Sequence, residues 1–339
     1  MSIDPNAAAR PDAGIFGLED TLETARVVVL PVPFDATTSY HQGTARGPAA
    51  VLRASHQIDL FDIETGRPYR AGIYMQPEPP SVQAWNATAR VAANALSEGD
   101  ISEAVAQQRV NEASLAVEHY VAGRTRELLA AGKLVCVLGG DHSTPLGSIK
   151  EHVRRYPGLG ILHIDAHADL RQAYQGYVQS HASIMYNVLT DVPQLKRLVQ
   201  VGIRDLCEEE LERIEQSGDR VRTFFDAHLA TEKLSGKPWS ELCERIVSAL
   251  PDDVYVSFDI DGLDPTLCPH TGTPVPGGLS FHEATALLKA VVESGRRIVG
   301  LDLNEVAPSP AGSDDDWDAN VGARLLYKMI GFALNSQKD

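Results

Sequence analysis

Residues 159–169 read LGILHIDAHAD, an apolar run that ends in acidic and histidine residues, and this stretch decides the fold. A nearly continuous apolar run is typical of a strand buried on both faces, as in a parallel sheet covered by helices. Similar runs occur at 26–32, 133–138, 197–203, 221–225, 253–259 and 297–303. Segments with helical periodicity separate them, at 47–55, 103–131, 144–155, 182–190, 207–216, 238–249, 280–294 and 318–335. This alternation predicts an α/β fold, a three-layer α-β-α sandwich with a mainly parallel sheet.

Two regions do not follow this alternation of strand and helix segments. Residues 1–25 are rich in Ala, Pro, Asp and Gly without periodicity, so we expect an N-terminal arm or a poorly ordered tail. We expect residues 26–339 to form a single domain, because α/β folds of this length often do. Within it, residues 60–100 break the alternation, and YMQPEPPSVQ at 74–83 is interpreted as a loop.

The residues that follow each apolar run are the candidate functional residues, because parallel sheets bind ligands beyond the carboxyl ends of their strands. The runs lead into GGDHS at 139–143, DAHAD at 165–169, DID at 259–261, and NE at 304–305. In an extended chain Asp165 and Asp169 would lie about 13 Å apart, at ~3.3 Å per residue. That is too far for both to bind one ion, so the chain must curl after Asp165.

Six candidate metal ligands follow from these strand ends: His142, Asp165, His167, Asp169, Asp259 and Asp261. The mixture of imidazole and carboxylate suits manganese, leaves zinc, iron and nickel open, and is poor for calcium. Clustered carboxylates raise each other's pKa at a cost in stability, which two divalent cations would offset while activating water. Taken alone, Asp141 and Asp264 are interpreted as cap or turn residues, and His163 as a core or supporting histidine.

Three blocks, GGDHS (139–143), DAHAD (165–169) and SFDIDGLDP (257–265), stand in the order found in the ureohydrolase family. The chain resembles that family, which contains arginases, agmatinases and their relatives. Further matches are TGTP at 271–274, GGL at 277–279 and GTARGP at 43–48, and the resemblance covers roughly 26–335. It implies a hydrolase that cleaves a C–N bond of a linear guanidino or amidino group, using two manganese ions, with nickel as the alternative.

The resemblance also implies a role for each matching position. One manganese would be held by His142, Asp165, Asp169 and Asp259, and the other by Asp165, His167, Asp259 and Asp261. Asp169 would orient the metal-bound hydroxide, and Thr273 would lie beside the substrate. Glu305 would receive the guanidinium, to which a carboxylate offers paired, charge-assisted hydrogen bonds. His181, twelve residues past Asp169, would shuttle the proton and contact the substrate, a task that suits a histidine near its operating pH.

The substrate is less constrained. QSHASI at 179–184 differs from the stretch that seats the amino acid head in arginases, and from the H-G-T that agmatinases carry at the shuttle. Cys207 stands where arginases place a second Asp that meets the α-amino group. We therefore rank agmatine first, converted to putrescine and urea, ahead of guanidinobutyrate, formiminoglutamate, guanidine and arginine. A formal charge of −16 mildly favours a small cationic substrate.

The composition limits which binding partners and which cellular compartment we expect. The charge of −16 argues against nucleic acid, and no apolar run approaches the length that spans a membrane. Four scattered cysteines and an N-terminus without signal-peptide features predict a cytoplasmic protein. The family implies a homo-oligomer, a trimer or a hexamer. Two alternative hypotheses remain open. A non-catalytic metal-binding paralogue is disfavoured because Glu305 is present to bind a substrate. A mononuclear zinc deacetylase is disfavoured because it would leave the sixth ligand, His142, without a role.

Overall fold

The fold is centred on one eight-stranded sheet in which all pairings between neighbouring strands are parallel. The structure is a computed structural model that describes residues 5–10, 12–309 and 315–337. In chain order the strands are β1 (Val27–Val32), β2 (Ile73–Met75), β3 (Leu134–Gly139), β4 (Gly160–Ile164), β5 (Arg197–Ile203), β6 (Val221–Phe225), β7 (Asp253–Asp259) and β8 (Arg297–Asn304). Across the sheet their order is β2-β1-β3-β8-β7-β4-β5-β6.

Helices cover both faces of the sheet. They are α1 (Gly47–Ser55), α2 (Pro80–Ser97), α3 (Glu103–Ala130), α4 (Leu146–Arg155), α5 (Ile184–Asp191), α6 (Glu208–Gln216), α7 (Asp226–Leu234), α8 (Trp239–Ser248), α9 (Phe281–Glu293) and α10 (Trp317–Ser336). In β1, Leu30 packs in the cluster that contains the buried residues of α2 and α3, whereas Val29 packs in the cluster of α8, α9 and α10. Because successive strand residues face opposite sides, this alternation confirms the predicted three-layer fold.

The structure corrects the prediction for residues 60–100 and shows one short helix, α7, that was not predicted. β2 and α2 occupy part of the stretch interpreted as a loop, so that prediction was wrong for residues 74–75 and 80–83. β2 has only three residues, too few to show a pattern. α2 buries mostly small side chains, Val82, Ala89 and Ala92, and its Pro80 suits a first helical position. α7 was missed because Leu229 is its one buried residue among those described.

Both ends of the described chain contain segments that join the core. Ile15, Phe16 and Leu18 are buried, and the Phe16 ring lies 4.8 Å from that of Tyr327 in α10. The division of the chain at residue 25 stays a prediction, and its residues 1–4 and 11 lie outside the described part. α10 packs on α1, α9 and β8 of the same chain. Among the described residues, no helix is both long enough and apolar enough to cross a bilayer.

Candidate metal centre

Four central strands carry the candidate site at their carboxyl ends. His142 follows β3, Asp165 follows β4, Asp259 ends β7 and Glu305 follows β8. These strands are neighbours in the order β3-β8-β7-β4. Residues as far apart as His142 and Glu305, 163 positions along the chain, therefore meet at one edge of the sheet and are joined there by a hydrogen bond.

Three carboxylates converge on one ring nitrogen of His142. Its Nδ1 lies 3.0 Å from Asp165 Oδ2, 3.3 Å from Asp169 Oδ2 and 3.3 Å from Asp259 Oδ2. All four side chains are buried. Carboxylate oxygens at this spacing repel one another, and burial strengthens the repulsion, unless a cation lies among them.

His167 gathers a second group of ligands beside the first. Its Nδ1 lies 3.1 Å from Asp261 Oδ2 and 3.4 Å from Asp165 Oδ1. Asp165 thus turns one oxygen towards each group. Asp259 also joins the two, because its Oδ1 accepts a hydrogen bond of 2.9 Å from the Asp261 backbone N–H. All six predicted ligands therefore lie around two adjacent points.

The tautomer of His142 fits metal binding. Its Nε2 lies 2.9 Å from Ser257 Oγ, which donates to Asp302 Oδ1 at 3.0 Å. A hydroxyl has one hydrogen, so Ser257 Oγ accepts from His142, and whenever the ring is neutral its proton lies on Nε2. The Nδ1 that faces the three carboxylates is then free for a cation, and this is how ligating histidines are held in metal sites.

The pKa values of the cluster reflect both its burial and the interactions among its charged groups. Burial raises the pKa of Asp169 to about 7 and that of Asp259 well above its usual range, and repulsion from neighbouring carboxylates adds to both shifts. Burial acts on Asp165 in the same direction, but the adjacent histidines hold its pKa well below the usual value. The same carboxylates raise the pKa of His142 well above the ordinary value, against the effect of burial.

His163 lies beside the first group and acts as a hydrogen-bond donor. Gln200 Nε2 lies 3.0 Å from His163 Nδ1 and 2.7 Å from Ala168 O, while Gln200 Oε1 accepts from Thr223 Oγ1 at 2.9 Å. An amide nitrogen only donates, so His163 Nδ1 accepts and the proton sits on Nε2. Burial lowers the pKa of His163 and keeps the ring neutral. Nε2–H therefore donates to Asp165 Oδ2, at 2.8 Å.

Backbone geometry bends two site residues into place. Asp169 and Glu305 have φ angles of +56° and +61°, in the left-handed region that side chains other than glycine rarely adopt. At Asp169 this conformation produces the predicted curl, since β4 has already ended at Ile164. Such strained residues persist where the surrounding structure fixes them and cluster at active sites.

Glu305 points an unpaired oxygen into the site. Its Oε1 accepts from the His142 backbone N–H at 3.0 Å, whereas Oε2 is buried and has no hydrogen-bond donor in the described structure. A Cβ at Gly272 would lie 2.8 Å from Oε2, so a larger residue at this position would require the Glu305 carboxylate to shift. Burial and the nearby Asp259 raise the pKa of Glu305 well above its usual value. An orphaned buried carboxylate oxygen is costly and suits a cationic ligand.

A cleft of about 120 Å³ leads to the cluster from the surface; it is lined by Ser39, His167, Asp169, Arg171, Tyr174, His181, Ala182, Asp205, Glu210 and Thr273. Thr273 Oγ1 donates to Asp261 Oδ2 at 3.2 Å, so this residue lies against the second ligand group. His181 lies in the wall, where burial and the nearby His167 lower its pKa to about 3. This pKa lies far below the value near the operating pH that we expected for a proton shuttle. Two of the predicted substrate residues, His181 and Thr273, thus line this cleft, whereas Glu305 is not among its lining residues.

Several supporting residues were not singled out from the sequence. Arg204 donates to the backbone carbonyls of Gly202, Asp261, Leu263 and Val275 and so fixes the turn that carries two ligands. Asp302 and Gln200 hold His142 and His163, as described above. Their only sequence signal is a polar residue inside an apolar strand run, as in Asp302 within RIVGLDLN. Asp141, interpreted as a cap or turn residue, is fully buried and accepts from Thr37.

Comparison with known proteins places these observations in a family. The model of the Arginase family matches residues 25–331. The chain is 37% identical over 323 residues to N(1)-aminopropylagmatine ureohydrolase of Thermus thermophilus, which covers 94% of each protein. It is 32% identical over 299 residues to agmatinase of Bacillus anthracis, which covers 87% of this chain and 88% of that protein.

Solved structures show the same fold. Proclavaminate amidino hydrolase from Streptomyces clavuligerus superposes with a TM-score of 0.73 at 22% identity, covering 98% of this chain and all of that chain (100%). Arginase from Bacillus subtilis gives a TM-score of 0.69 at 24% identity, covering 90% of this chain and 98% of that one. At this level of identity the likeness concerns the fold, and it confirms the arginase-like α/β architecture.

Proposed function

The chain belongs to the arginase family and is an amidinohydrolase, and we propose that it releases urea from guanidinobutylamines, agmatine and its N1-aminopropyl derivative. The observation that carries this proposal is Glu305 Oε2, a buried oxygen at the edge of the carboxylate cluster that has no donor among the described residues. A guanidinium offers five N–H donors in a planar fork and stays charged near neutral pH. It satisfies this oxygen with charge-assisted hydrogen bonds.

We propose that the six clustered side chains hold two manganese ions, with nickel as the alternative. The first set is His142, Asp165, Asp169 and Asp259, and the second is Asp165, His167, Asp259 and Asp261. The imidazole-and-carboxylate donors support manganese or nickel over calcium, and the convergence of three carboxylates on His142 Nδ1 supports a cation among these four side chains. Bound together, two such ions supply a water nucleophile near neutral pH and stabilise the charge that develops in hydrolysis.

The residues of this chain would then perform three tasks. Glu305 holds the guanidinium against the cluster, and Asp169, whose Oδ2 lies 3.3 Å from His142 Nδ1, orients the attacking water. Water adds to the guanidino carbon, and the bond from that carbon to the alkyl-bearing nitrogen breaks. His181 delivers a proton to the departing nitrogen, so that urea and a free amine are released. Thr273 lies beside the substrate on the opposite wall.

The charged residues of the cleft wall favour a substrate with an amine tail. Arg171, the cation that could attract a carboxylate tail, faces Glu210 at 3.6 Å and stacks on the ring of Tyr174. Asp205 at the same cleft is exposed, and His167 Nε2, 4.0 Å away, is its one ion-pair partner in the described structure. Among amines, the higher identity to N(1)-aminopropylagmatine ureohydrolase supports the extended form over the agmatine that the sequence ranks first.

The test is urea release by the manganese-loaded and the nickel-loaded protein from N1-aminopropylagmatine, agmatine, guanidinobutyrate, arginine and guanidine, with formamide release from formiminoglutamate alongside. We expect the highest kcat/KM for N1-aminopropylagmatine, with agmatine second. A preference for guanidinobutyrate would contradict the amine tail. The absence of any product with either metal would contradict turnover and favour the non-catalytic paralogue.

We also propose that the protein is a cytoplasmic homo-oligomer. Four free cysteines, three of them buried, support a reducing compartment. Phe61 and Ile63, two positions apart in the chain, are both exposed, and neighbouring exposed apolar side chains support a surface that an assembly would cover. Light scattering coupled to size-exclusion chromatography would give the subunit number, for which we expect three or six.

A further inference from the structure

The histidine of the cleft wall is held at both ring nitrogens by one loop, residues 33–46, which follows β1. Thr37 Oγ1 lies 3.4 Å from His181 Nδ1, and Ser39 Oγ lies 3.3 Å from His181 Nε2. Thr37 Oγ1 also accepts the backbone N–H of His181 at 3.1 Å. The loop and the histidine are 144 positions apart in the chain, so the contact depends on the fold.

The hydrogens of this contact are fixed by Asp141. Its Oδ2 accepts from the backbone N–H of Thr37 at 3.1 Å and from Thr37 Oγ1 at 2.7 Å, and its Oδ1 accepts two donors from Ser143. Burial raises the pKa of Asp141, and the hydrogen bonds from Thr37 and Ser143 oppose that shift. Because each oxygen already accepts a backbone N–H, the four bonds favour the ionised carboxylate, which only accepts. The single hydroxyl hydrogen of Thr37 therefore points to Asp141, and towards His181 the same oxygen can only accept.

We infer that Thr37, held by Asp141, fixes His181 in the tautomer with its proton on Nδ1 and with Nε2 bare towards the cleft. Ser39 can donate to the bare Nε2, so both contacts agree with this tautomer. The inference rests on the proposed function, in which His181 moves a proton. A bare Nε2 takes a proton from the attacking water and gives the same proton to the departing nitrogen, so the ring ends as it began. Thr37 and Asp141 are positioning residues in this scheme.

The loop that carries Thr37 is itself anchored. Asp35 is buried and accepts the backbone N–H of Gly43 at 2.9 Å. Arg90 of α2 donates to Ala36 O at 3.3 Å and to Thr38 Oγ1 at 3.0 Å. These bonds flank Thr37 on both sides. A rigid support of this kind is what a catalytic group needs to keep its geometry through the reaction.

The test compares Thr37→Val, which keeps the shape and removes the acceptor, with Thr37→Ser, which keeps the hydroxyl. Thr125→Val is the matched control, because Thr125 is buried in α3 and its hydroxyl has no hydrogen-bond partner in the described structure. The tautomer of His181 is determined from imidazole ¹⁵N shifts of the protein loaded with diamagnetic zinc, with His181→Asn to assign the signals. Kinetics are measured on the manganese-loaded protein.

We expect a protonated Nδ1 and bare Nε2 in the native protein, in Thr37→Ser and in Thr125→Val. Thr37→Val should shift the proton to Nε2 and lower kcat by about 10- to 100-fold, part of the roughly 10²- to 10⁴-fold that acid–base catalysis contributes, with KM and metal content unchanged. A proton on Nε2 in the native protein, or native kcat in Thr37→Val, would overturn the inference. If no guanidino compound is hydrolysed, the ¹⁵N shifts still decide the tautomer, so the two proposals fail separately.

Discussion

Replacing His163 by Phe removes one hydrogen bond to the carboxylate shared by both ligand groups. The bond from His163 Nε2–H to Asp165 Oδ2 is 2.8 Å long and fully buried. Hydrogen bonds to charged groups contribute about 1.5–3 kcal/mol, which corresponds to roughly 10- to 150-fold in an equilibrium constant because about 1.4 kcal/mol is tenfold. Removal of partners that orient metal ligands costs about 10- to 100-fold in affinity. We therefore expect His163→Phe to weaken manganese binding about 10- to 100-fold.

The assay is a competition titration of manganese against a chelator, together with the metal content per chain at saturation. His163→Gln keeps an N–H donor on a flexible side chain and should recover part of the affinity. Gln200→Leu should weaken binding less than His163→Phe, because Gln200 acts through the ring of His163. The double variant should then resemble His163→Phe alone, since coupled residues are not additive.

Metal content separates the supporting role from a ligand role. His163 Nε2 is near enough to His142, Asp165 and Asp169 for the four side chains to hold an ion in common. If His163 binds the metal directly, His163→Phe should lose one of two ions even at saturation. If it orients Asp165, two ions remain and only the affinity falls. An unchanged dissociation constant in His163→Phe would refute the reasoning altogether.

Three further predictions concern the same site. Glu305→Ala should keep both metals and lower kcat/KM by at least about 30-fold, because loss of one partner of a buried charge pair costs about 2–5 kcal/mol and about 1.4 kcal/mol is tenfold; steady-state kinetics that match the native enzyme would remove Glu305 from the guanidinium site. Asp259→Ala should lose metal loading and activity together, and elemental analysis that finds two ions in an active variant would exclude its bridging role. In the metal-free protein the pKa of Asp169 is raised to about 7 from an ordinary value near 3.9. The folded state therefore binds more protons than the unfolded state between these two values. Its stability falls as the pH rises from about 4 through about 7. Manganese binds the deprotonated ligands, and thermal melting should therefore show a larger manganese-induced gain in Tm at pH 8 than at pH 5.5; equal gains would contradict the assignment of Asp169 to the metal site.

Much of the site was predictable because the chemistry of metal ligands is carried by residue type and local spacing. DAHAD at 165–169 contains three ligand-type residues directly after an apolar run, and the 13 Å estimate already required the chain to turn. The structure shows that turn at Asp169, with φ at +56°. Seven of the eight strands were also predictable, because most of them are nearly continuous apolar runs.

The spatial order of the strands, and so the convergence of the site residues, is not contained in local sequence patterns. The order β3-β8-β7-β4 brings His142, Asp165, Asp259 and Glu305 to one edge, although the chain visits these strands in another sequence. β2 and α2 escaped notice because one is three residues long and the other buries small side chains.

The protonation of His163 and His181, two site histidines that we do not propose as metal ligands, also depends on the tertiary structure. Gln200 on β5 sets the tautomer of His163, and Thr37 in the loop after β1 is inferred to set that of His181. Sequence by itself determined which side chains can bind metal ions and a guanidinium, because those abilities belong to each residue's own chemistry. Which nitrogen carries the proton and which oxygen stays unpaired depends on donors and acceptors that lie far apart in the chain, and only folding brings them within hydrogen-bond distance.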